Sequence, residues 1–547
     1  MPNATPPKSA LMVMDELSLH HALLLRSTWP GDDGEVRFCE THASRIYLVG
    51  ERVYKVKKPV NFGFLDFTTL ERRTFYCREE VRLNNRFAPG TYLGVGELRR
   101  TRKGVELGEK GTLVEVAVIM RRLPAERMLD HLLEIRAAGL AAAMERLGTR
   151  LAHLHATSPI CRGDSGSDRK QVGANWRENF EQTWRFVPDL LTQAGQETAK
   201  QWIGAFLENN RALLEEREAA GFVRDGHGDL HSAHVCLTEP LQIFDCIEFN
   251  PRFRIADTAA DLAFLLMDLD FLNRRDLGVV LLEAYRGAGG PNPGPDDLIT
   301  FYKLYRAWVR GKVEGLLAVA PTAEASARAH AATLARRYFA LAQGYLLPRV
   351  LLLTCGLMGS GKSTIARALA RTIGAEVLRS DQIRKDLAGA IGSDSDKLPF
   401  GTGIYAEDMN TATYRRLLEL AIDALRSGPV IIDAAFGDAK YRQEFLEAAQ
   451  AQSSPVFILH CRCPAPEALS RLAVRQQDGN DISDGRVELY AQQAAVFQAP
   501  KACEPCTAVD TTMDVDYNVQ LIISDLLVRL GMSGKGTCLN PLHSPVG

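Results

Sequence analysis

Val350-Leu-Leu-Leu-Thr-Cys355 runs directly into Gly356-Leu357-Met358-Gly359-Ser360-Gly361-Lys362-Ser363-Thr364, and this stretch decides the architecture of the C-terminal part of the chain. An apolar strand, a loop matching G-x-x-x-x-G-K-[ST] and a helical run (Ile365–Ile373) follow one another without interruption. Glycines let successive backbone N–H groups turn inward around phosphate oxygens, and the helix N-terminus adds partial positive charge. Lys362 then reaches the terminal phosphates of ATP, and the Ser363 hydroxyl is a Mg²⁺ ligand. Strand, loop and helix together predict a phosphate-binding loop at the edge of a parallel sheet.

Working downstream, the strand Glu376–Arg379 ends in Ser380-Asp381-Gln-Ile-Arg384. A strand end on the phosphate-loop side of a doubly wound sheet points into the cleft. Asp381 is therefore a candidate base for an acceptor hydroxyl, with Arg384 one turn on to bind an acceptor anion; the alternative for Asp381 is a helix N-cap. Pro429–Ile432 is a buried strand ending at Asp433, a candidate Mg²⁺ carboxylate. Arg471 and Arg475 lie at i and i+4 of a helical stretch, either as a lid over the transferring phosphate or as a solvated face. Val456–His460 and Thr507–Val509 complete five strands. Over about residues 349–512 this pattern resembles the P-loop small-molecule and polynucleotide 5′-hydroxyl kinases, which implies ATP-dependent phosphoryl transfer. Residues 349–530 hold 19 Lys+Arg against 23 Asp+Glu. A grip on long nucleic acid calls for a basic stripe, so a small hydroxyl-bearing metabolite is the expected acceptor.

Upstream, Thr322–Leu347 reads as a helix closed by Pro348, which places a domain boundary there. Further back, residues 224–248 read Arg-Asp-Gly-His227-Gly-Asp229-Leu-His231-Ser-Ala-His234-Val-Cys-Leu-Thr-Glu-Pro-Leu-Gln-Ile-Phe-Asp245-Cys-Ile-Glu248. Two short apolar stretches flank Thr238-Glu-Pro240, and a hairpin there brings Asp229 and Asp245 to one end. One carboxylate can take a proton from an acceptor hydroxyl while the other holds metal on the ATP phosphates. For His227 and His231 we favour a hydrogen-bonding, scaffolding role.

His227-Gly-Asp-Leu-His231 resembles the catalytic loop of the aminoglycoside phosphotransferases and related choline and homoserine kinases, over about residues 35–345. That resemblance implies a bilobal protein-kinase-like fold with Asp229 as base, position 234 as a metal ligand and Asp245 as the main metal carboxylate. It implies a phosphate-binding lysine paired with Glu80 of a helix Leu70–Asn84. Lys55 and Lys57 share a strand face, so spacing leaves both open. Val118–Leu123, with Met120 and Leu123, would be the hinge strand whose backbone meets adenine. Thr41-His-Ala-Ser44 stands in place of a glycine-rich loop, as in the aminoglycoside branch. His234 stands where the family usually has Asn.

The whole chain fits this arrangement. It has 547 residues, 46% apolar and 24% charged, with 65 Lys+Arg against 67 Asp+Glu. That is the composition of an ordinary globular chain of several units, neither disordered nor strongly polyanion-binding. Apolar runs fall far short of the ~18–20 residues that cross a bilayer, and no signal-peptide pattern opens the chain. Eleven cysteines without dense spacing fit a reducing, cytoplasmic setting. The expected organisation is a segment 1–34, a kinase-like domain 35–347, a P-loop domain 349–530 and a tail 532–547 without order. The expected function is phosphotransfer from ATP·Mg²⁺ to small molecules by two centres. The alternatives are a kinase-like domain that senses nucleotide and regulates its neighbour, or a C-terminal domain acting on 5′-hydroxyl ends.

Overall fold

The computed structural model describes residues 15–31, 34–162, 168–321, 323–389, 406–478 and 486–531, so the expected tail lies outside the described residues. Near the N-terminus, six strands form one antiparallel sheet: β1 (Val36–Glu40), β2 (Ser44–Val49), β3 (Arg52–Lys57), β4 (Tyr92–Thr101), β5 (Gly104–Leu107) and β6 (Thr112–Arg121), in the order β1-β2-β3-β6-β4-β5. Alternation along β3 divides its side chains between two faces. Tyr54 and Val56 enter a cluster with Leu19, Leu23, Trp29 and Tyr47, whereas Val53 joins Cys77, Val118 and Met120 under the helix Leu70–Asn84. The described stretch 15–31 is therefore part of this core. Its helix Glu16–Leu23 is capped by Asp15, and the Trp29 indole donates to Leu23 O and stacks on Tyr54 with ring centroids 4.2 Å apart.

The hinge strand ends sooner than expected. Its partner β3 begins at Arg52, which pairs with Arg121, and Pro124 follows without a donor, so Leu123 lies outside the strand while Met120 lies within it.

Four short strands frame the loop around Asp229: β7 (Val223–Asp225), β8 (Val235–Cys236), β9 (Gln242–Ile243) and β10 (Ile255–Asp257). β8 and β9 pair antiparallel, as the turn at Thr238-Glu-Pro240 predicts. The loop is held from beneath by Asp261, whose carboxylate accepts from His227 N at 2.6 Å and Gly228 N at 2.8 Å. Gly228 has φ +83°, and a Cβ there would sit 2.9 Å from Phe253 O, so this position needs glycine.

The C-terminal sheet has five parallel strands, β11 (Leu351–Cys355), β12 (Glu376–Arg379), β13 (Val430–Asp433), β14 (Val456–Arg462) and β15 (Cys506–Asp510), in the order β12-β13-β11-β14-β15. This is the expected doubly wound sheet. β11 is buried along its whole length and therefore reads as a continuous apolar run. Leu351, Leu353 and Cys355 face the helices Glu407–Ala424 and Ala439–Ala451 through Leu417, Ala421 and Phe445.

By compactness the chain forms two units, one of Met1–Asp168, Glu216–Leu265 and Asp276–Gly294, the other of Arg169–Glu215, Leu266–Arg275 and Pro295–Gly547. This division does not follow the sequence boundary at 347/349. Within the second unit, Gln520 Nε2 of the helix Val515–Arg529 donates to Leu190 O at 2.7 Å. Ser524 of the same helix meets Thr192 at 2.6 Å and donates to Gln343 at 3.1 Å. Gln343 lies on the helix Ala325–Gly344, the core of the expected Thr322–Leu347 helix. Among the described residues no helix is long and apolar enough to cross a membrane.

With residues 15–31 part of the first core, Trp29→Ala costs about 3–5 kcal/mol. Thermal unfolding of the full chain checks this: the transition of the first unit falls while that of the second stays in place.

Candidate active sites

In the first unit the two lysines of β3 converge on one acid. Glu80, fully buried on the helix Leu70–Asn84, meets Lys55 Nζ at 2.8 Å through one oxygen and Lys57 Nζ at 2.6 Å through the other. Lys57 also pairs with Glu248 and lies 4.7 Å from the Phe67 ring centroid; its side chain is 1% exposed. Lys55 instead reaches Asp245 at 2.5 Å and keeps 13% exposure. The equivalence left by strand spacing is thus broken by packing. Lys57 is sealed under the sheet between two carboxylates, and Lys55 is the lysine beside the accessible Asp245. Burial disfavours both charged lysines, but Asp245 and Glu80 around Lys55, and Glu248 and Glu80 around Lys57, hold their pKa values above the usual range. Burial likewise opposes the Asp245 carboxylate, yet Lys55 and then His234 hold it below the usual range. Glu248 is a site residue that the motif did not reveal; its one signal is its place in the Asp245-Cys-Ile-Glu248 run.

The hairpin brings Asp229 and Asp245 to either side of one imidazole. His234 Nδ1 lies 3.5 Å from Asp229 Oδ2, and its Nε2 lies 3.6 Å from Asp245 Oδ2. His234 Nδ1 is also 2.8 Å from Asp229 O, which fixes the ring. Burial, then His231, lowers the His234 pKa, so the ring is neutral at pH 7. His227 is buried, with Nε2 2.9 Å from Phe244 O, and holds the loop rather than facing it outward. Asp245 has φ +64°, and the Tyr92 hydroxyl accepts its backbone N–H at 3.1 Å. Asp245 offers the hard oxygen that Mg²⁺ prefers, but position 234 offers nitrogen. The donor set therefore fits one Mg²⁺ through Asp245 and does not fit a second at His234.

In the second unit the loop 356–364 has the expected shape. Gly356, Gly359 and Gly361 have φ of +145°, +74° and +83°, and Cβ atoms at the first two would meet Cys461 O at 2.4 Å and Ala468 O at 2.5 Å. Lys362 opens the helix Lys362–Ile373, and its Nζ donates to Leu357 O at 2.6 Å. Burial lowers its pKa, opposed by Cys461 and then by the negative charges of Asp433 and Asp381. Ser360 Oγ is buried with no hydrogen-bond partner among the described residues, a donor placed for a phosphate oxygen. Ser363 on the first helical turn and Asp433 at the end of the adjacent strand β13 offer hard oxygens, which suits Mg²⁺.

Asp381 is not the N-cap of the helix Ser380–Leu387; that position is Arg379, which makes no side-chain cap. Asp381 instead accepts from Arg384 Nη1 at 3.2 Å, and Arg384 Nη2 donates to Asn410 at 3.1 Å. Arg471 donates to Thr511 Oγ1 at 3.1 Å and Thr511 O at 2.9 Å, and Thr511 in turn donates to Ser360 O at 2.9 Å. Arg471 thus stands against the loop rather than on a solvated face, with Arg475 half-buried one turn on. Neither Thr511 nor Gln493, whose Oε1 accepts the Met358 N–H at 2.7 Å, carried a sequence signal.

A lysine–glutamate pair beside a two-aspartate loop in the first unit, and a glycine loop with its lysine in the second, define a kinase-type phosphotransferase and a P-loop kinase. Comparison with known proteins gives the same two parts. The profile of the "Phosphotransferase enzyme family" matches residues 79–298, and that of the "AAA domain" matches 351–500. The uncharacterized proteins Rv2004c of Mycobacterium tuberculosis and Mb2027c of Mycobacterium bovis are each 32% identical over 466 residues, covering 83% of this chain and 89% of theirs. The chain belongs to their family, an aminoglycoside-phosphotransferase-like domain followed by a P-loop kinase domain. Among solved structures, a choline/ethanolamine kinase family protein from Mesorhizobium loti (13% identity, TM-score 0.37) spans 65% of this chain and 100% of its own. The Mycobacterium tuberculosis APS kinase CysC in complex with AMPPNP and APS (22% identity, TM-score 0.26) spans 33% and 99%. Superpositions this loose carry no argument about substrate.

Two outcomes follow from the first site. Lys57→Met leaves Glu80 and Glu248 buried short of a counter-ion and costs about 3–5 kcal/mol, more than Lys55→Met, as urea unfolding will read out. Burial lowers the His227 pKa from 6.5 to about 4. A depressed folded-state pKa contributes stability above pH 6.5 that is lost as pH falls toward 4. The thermal midpoint of the first unit therefore drops across that window, and His227→Gln makes the drop shallower.

Proposed function

We propose that this chain carries two ATP-dependent phosphotransfer centres, each moving the γ-phosphate to a hydroxyl group of a small molecule. The observation that carries this reading is that each unit holds its own lysine in a phosphate-binding setting: Lys55 between Glu80 and Asp245, and Lys362 at the head of the glycine loop. In the first centre Lys55 holds ATP phosphates, Mg²⁺ bound by Asp245 supplies charge neutralisation there, and Asp229 takes the acceptor proton. Met120 and the neighbouring backbone of β6 meet adenine.

In the second centre the loop amides, Ser360 and Lys362 surround the phosphates, and Ser363 with Asp433 would hold Mg²⁺. Asp381 receives the acceptor proton, Arg384 binds an acceptor anion, and Arg471 with Arg475 neutralises charge on the transferring group. The mild acidity of this domain favours small metabolites over nucleic-acid ends. We place the chain in the cytoplasm.

A second reading is favoured by one observation, the nitrogen donor at His234 beside both catalytic carboxylates. There the first centre senses nucleotide and regulates the second. Asp229→Asn and Lys362→Ala variants of the full chain, assayed for ATP consumption against a metabolite panel, separate the two. Two enzymes predict independent losses of about 10²–10⁴-fold, each confined to its own acceptors. Loss of all turnover from Lys362→Ala, with none specific to Asp229→Asn, overturns the two-enzyme reading in favour of the sensor.

A further inference from the structure

Among the described residues, one group brings together at least three side chains able to ligate a metal: Asp229, His231 and His234, whose donor atoms all lie within 4.8 Å of one another. Asp229 Oδ2 is 3.7 Å from His231 Nε2 and 3.5 Å from His234 Nδ1, and the two imidazole centroids are 4.0 Å apart. An ion held tetrahedrally by nitrogen and oxygen at about 2.0–2.1 Å separates its donors by roughly 3.3–3.5 Å. The carboxylate thus already stands near the right spacing from both rings. All three side chains retain some solvent exposure, 34% for Asp229, 13% for His231 and 15% for His234, so an ion can enter from solvent.

The surroundings suit such an ion. A metal-bound imidazole commonly donates its other N–H to a carboxylate, which orients the ring. The carboxylate nearest His234 Nε2 is Asp245 Oδ2, 3.6 Å away, just beyond hydrogen-bond distance. Binding at Nδ1 moves the ring proton from Nδ1, where it now serves Asp229 O at 2.8 Å, to Nε2 on the side of Asp245. Two of the three donors are nitrogens, which suits Zn²⁺ or Co²⁺ and disfavours Mg²⁺.

We propose that Asp229, His231 and His234 form a site for one divalent transition-metal ion of the Zn²⁺/Co²⁺ class, bound without nucleotide, and that the filled site withholds the Asp229 carboxylate from phosphotransfer. The binding part stands on the geometry alone. The inhibitory part rests on the reading above that Asp229 is the base of the first centre.

Titration of the nucleotide-free full chain with Co²⁺, followed by visible absorption and calorimetry, tests the binding part. The expected result is a site of one Co²⁺ per chain with nitrogen and oxygen ligation. Its affinity falls by about 10–100-fold in His231→Asn and in His234→Asn and is retained in Lys362→Ala. Excess Mg²⁺ does not displace the ion, whereas Zn²⁺ does. Thiolate charge-transfer bands in the wild-type spectrum, displacement by Mg²⁺ on equal terms, or folded histidine variants that bind like wild type each overturn the proposal. These spectra and the Mg²⁺ competition use wild-type protein, so they decide even if a variant fails to fold. For the inhibitory part, Zn²⁺ added at fixed ATP·Mg²⁺ lowers turnover on first-centre acceptors, and a chelator restores it. Zn²⁺ occupancy without loss of that turnover overturns inhibition. A first centre with no turnover under any condition refutes the phosphotransfer reading instead, and leaves the Co²⁺ result intact.

Discussion

Glu80 is the residue around which the first site is arranged. A fully buried carboxylate is tolerable only with close counter-charge, and here each of its oxygens meets a different lysine. That requirement ties three elements together: the helix Leu70–Asn84, strand β3, and the chain after β9 that supplies Asp245 and Glu248. Lys57 is the charge the frame can least lose, because without it Glu248 is buried with no counter-ion and Glu80 keeps Lys55 alone. The network thereby sets where Asp245 stands, and the hairpin β8–β9 sets where Asp229 stands relative to it. Asp261 completes the frame by accepting two loop N–H groups from below. The accessible chemistry of the unit is what remains outside this locked frame: Asp229, His231, His234 and the outer side of Asp245.

The second site depends on a different constraint, close backbone approach. Gly356 and Gly359 pass so near to β14 and the helix Ala465–Asp478 that a Cβ would fall within 2.4–2.5 Å of a carbonyl oxygen. Several loop groups have internal partners: Lys362 donates to Leu357 O, and Gln493 accepts the Met358 N–H. The Ser360 hydroxyl is buried with no hydrogen-bond partner among the described residues. On the proposed function, the two sites would hold phosphate by unlike means, one by side-chain charge and one by backbone amides and helix polarity.

Much of this was legible in the sequence because it rests on local pattern. The helix Leu70–Asn84 implied by the family resemblance and the strand Glu376–Arg379 fall where expected, and both phosphate-binding motifs are contiguous in the chain. Lys55 and Lys57 show the limit of such reading. Two residues on one face of a strand are alike until Phe67 and Glu248 close over one of them. Glu248, Thr511 and Gln493 act through partners far away in sequence, so no spacing announces them. The grouping of Gln343 with Ser524 is equally silent, since an amide on a helix does not reveal which neighbour it will meet. Leu123 falls outside strand β6 for a simpler reason: the ladder ends where its partner strand does.

The central claim is that one chain holds two separate nucleotide sites, and the stoichiometry of nucleotide binding tests it most directly. Calorimetric titration of the full chain with a non-hydrolysable ATP analogue and Mg²⁺ should give two sites per chain. Lys55→Met should remove one and Lys362→Ala the other. A single site in the wild type, or loss of both through either substitution alone, would contradict the account.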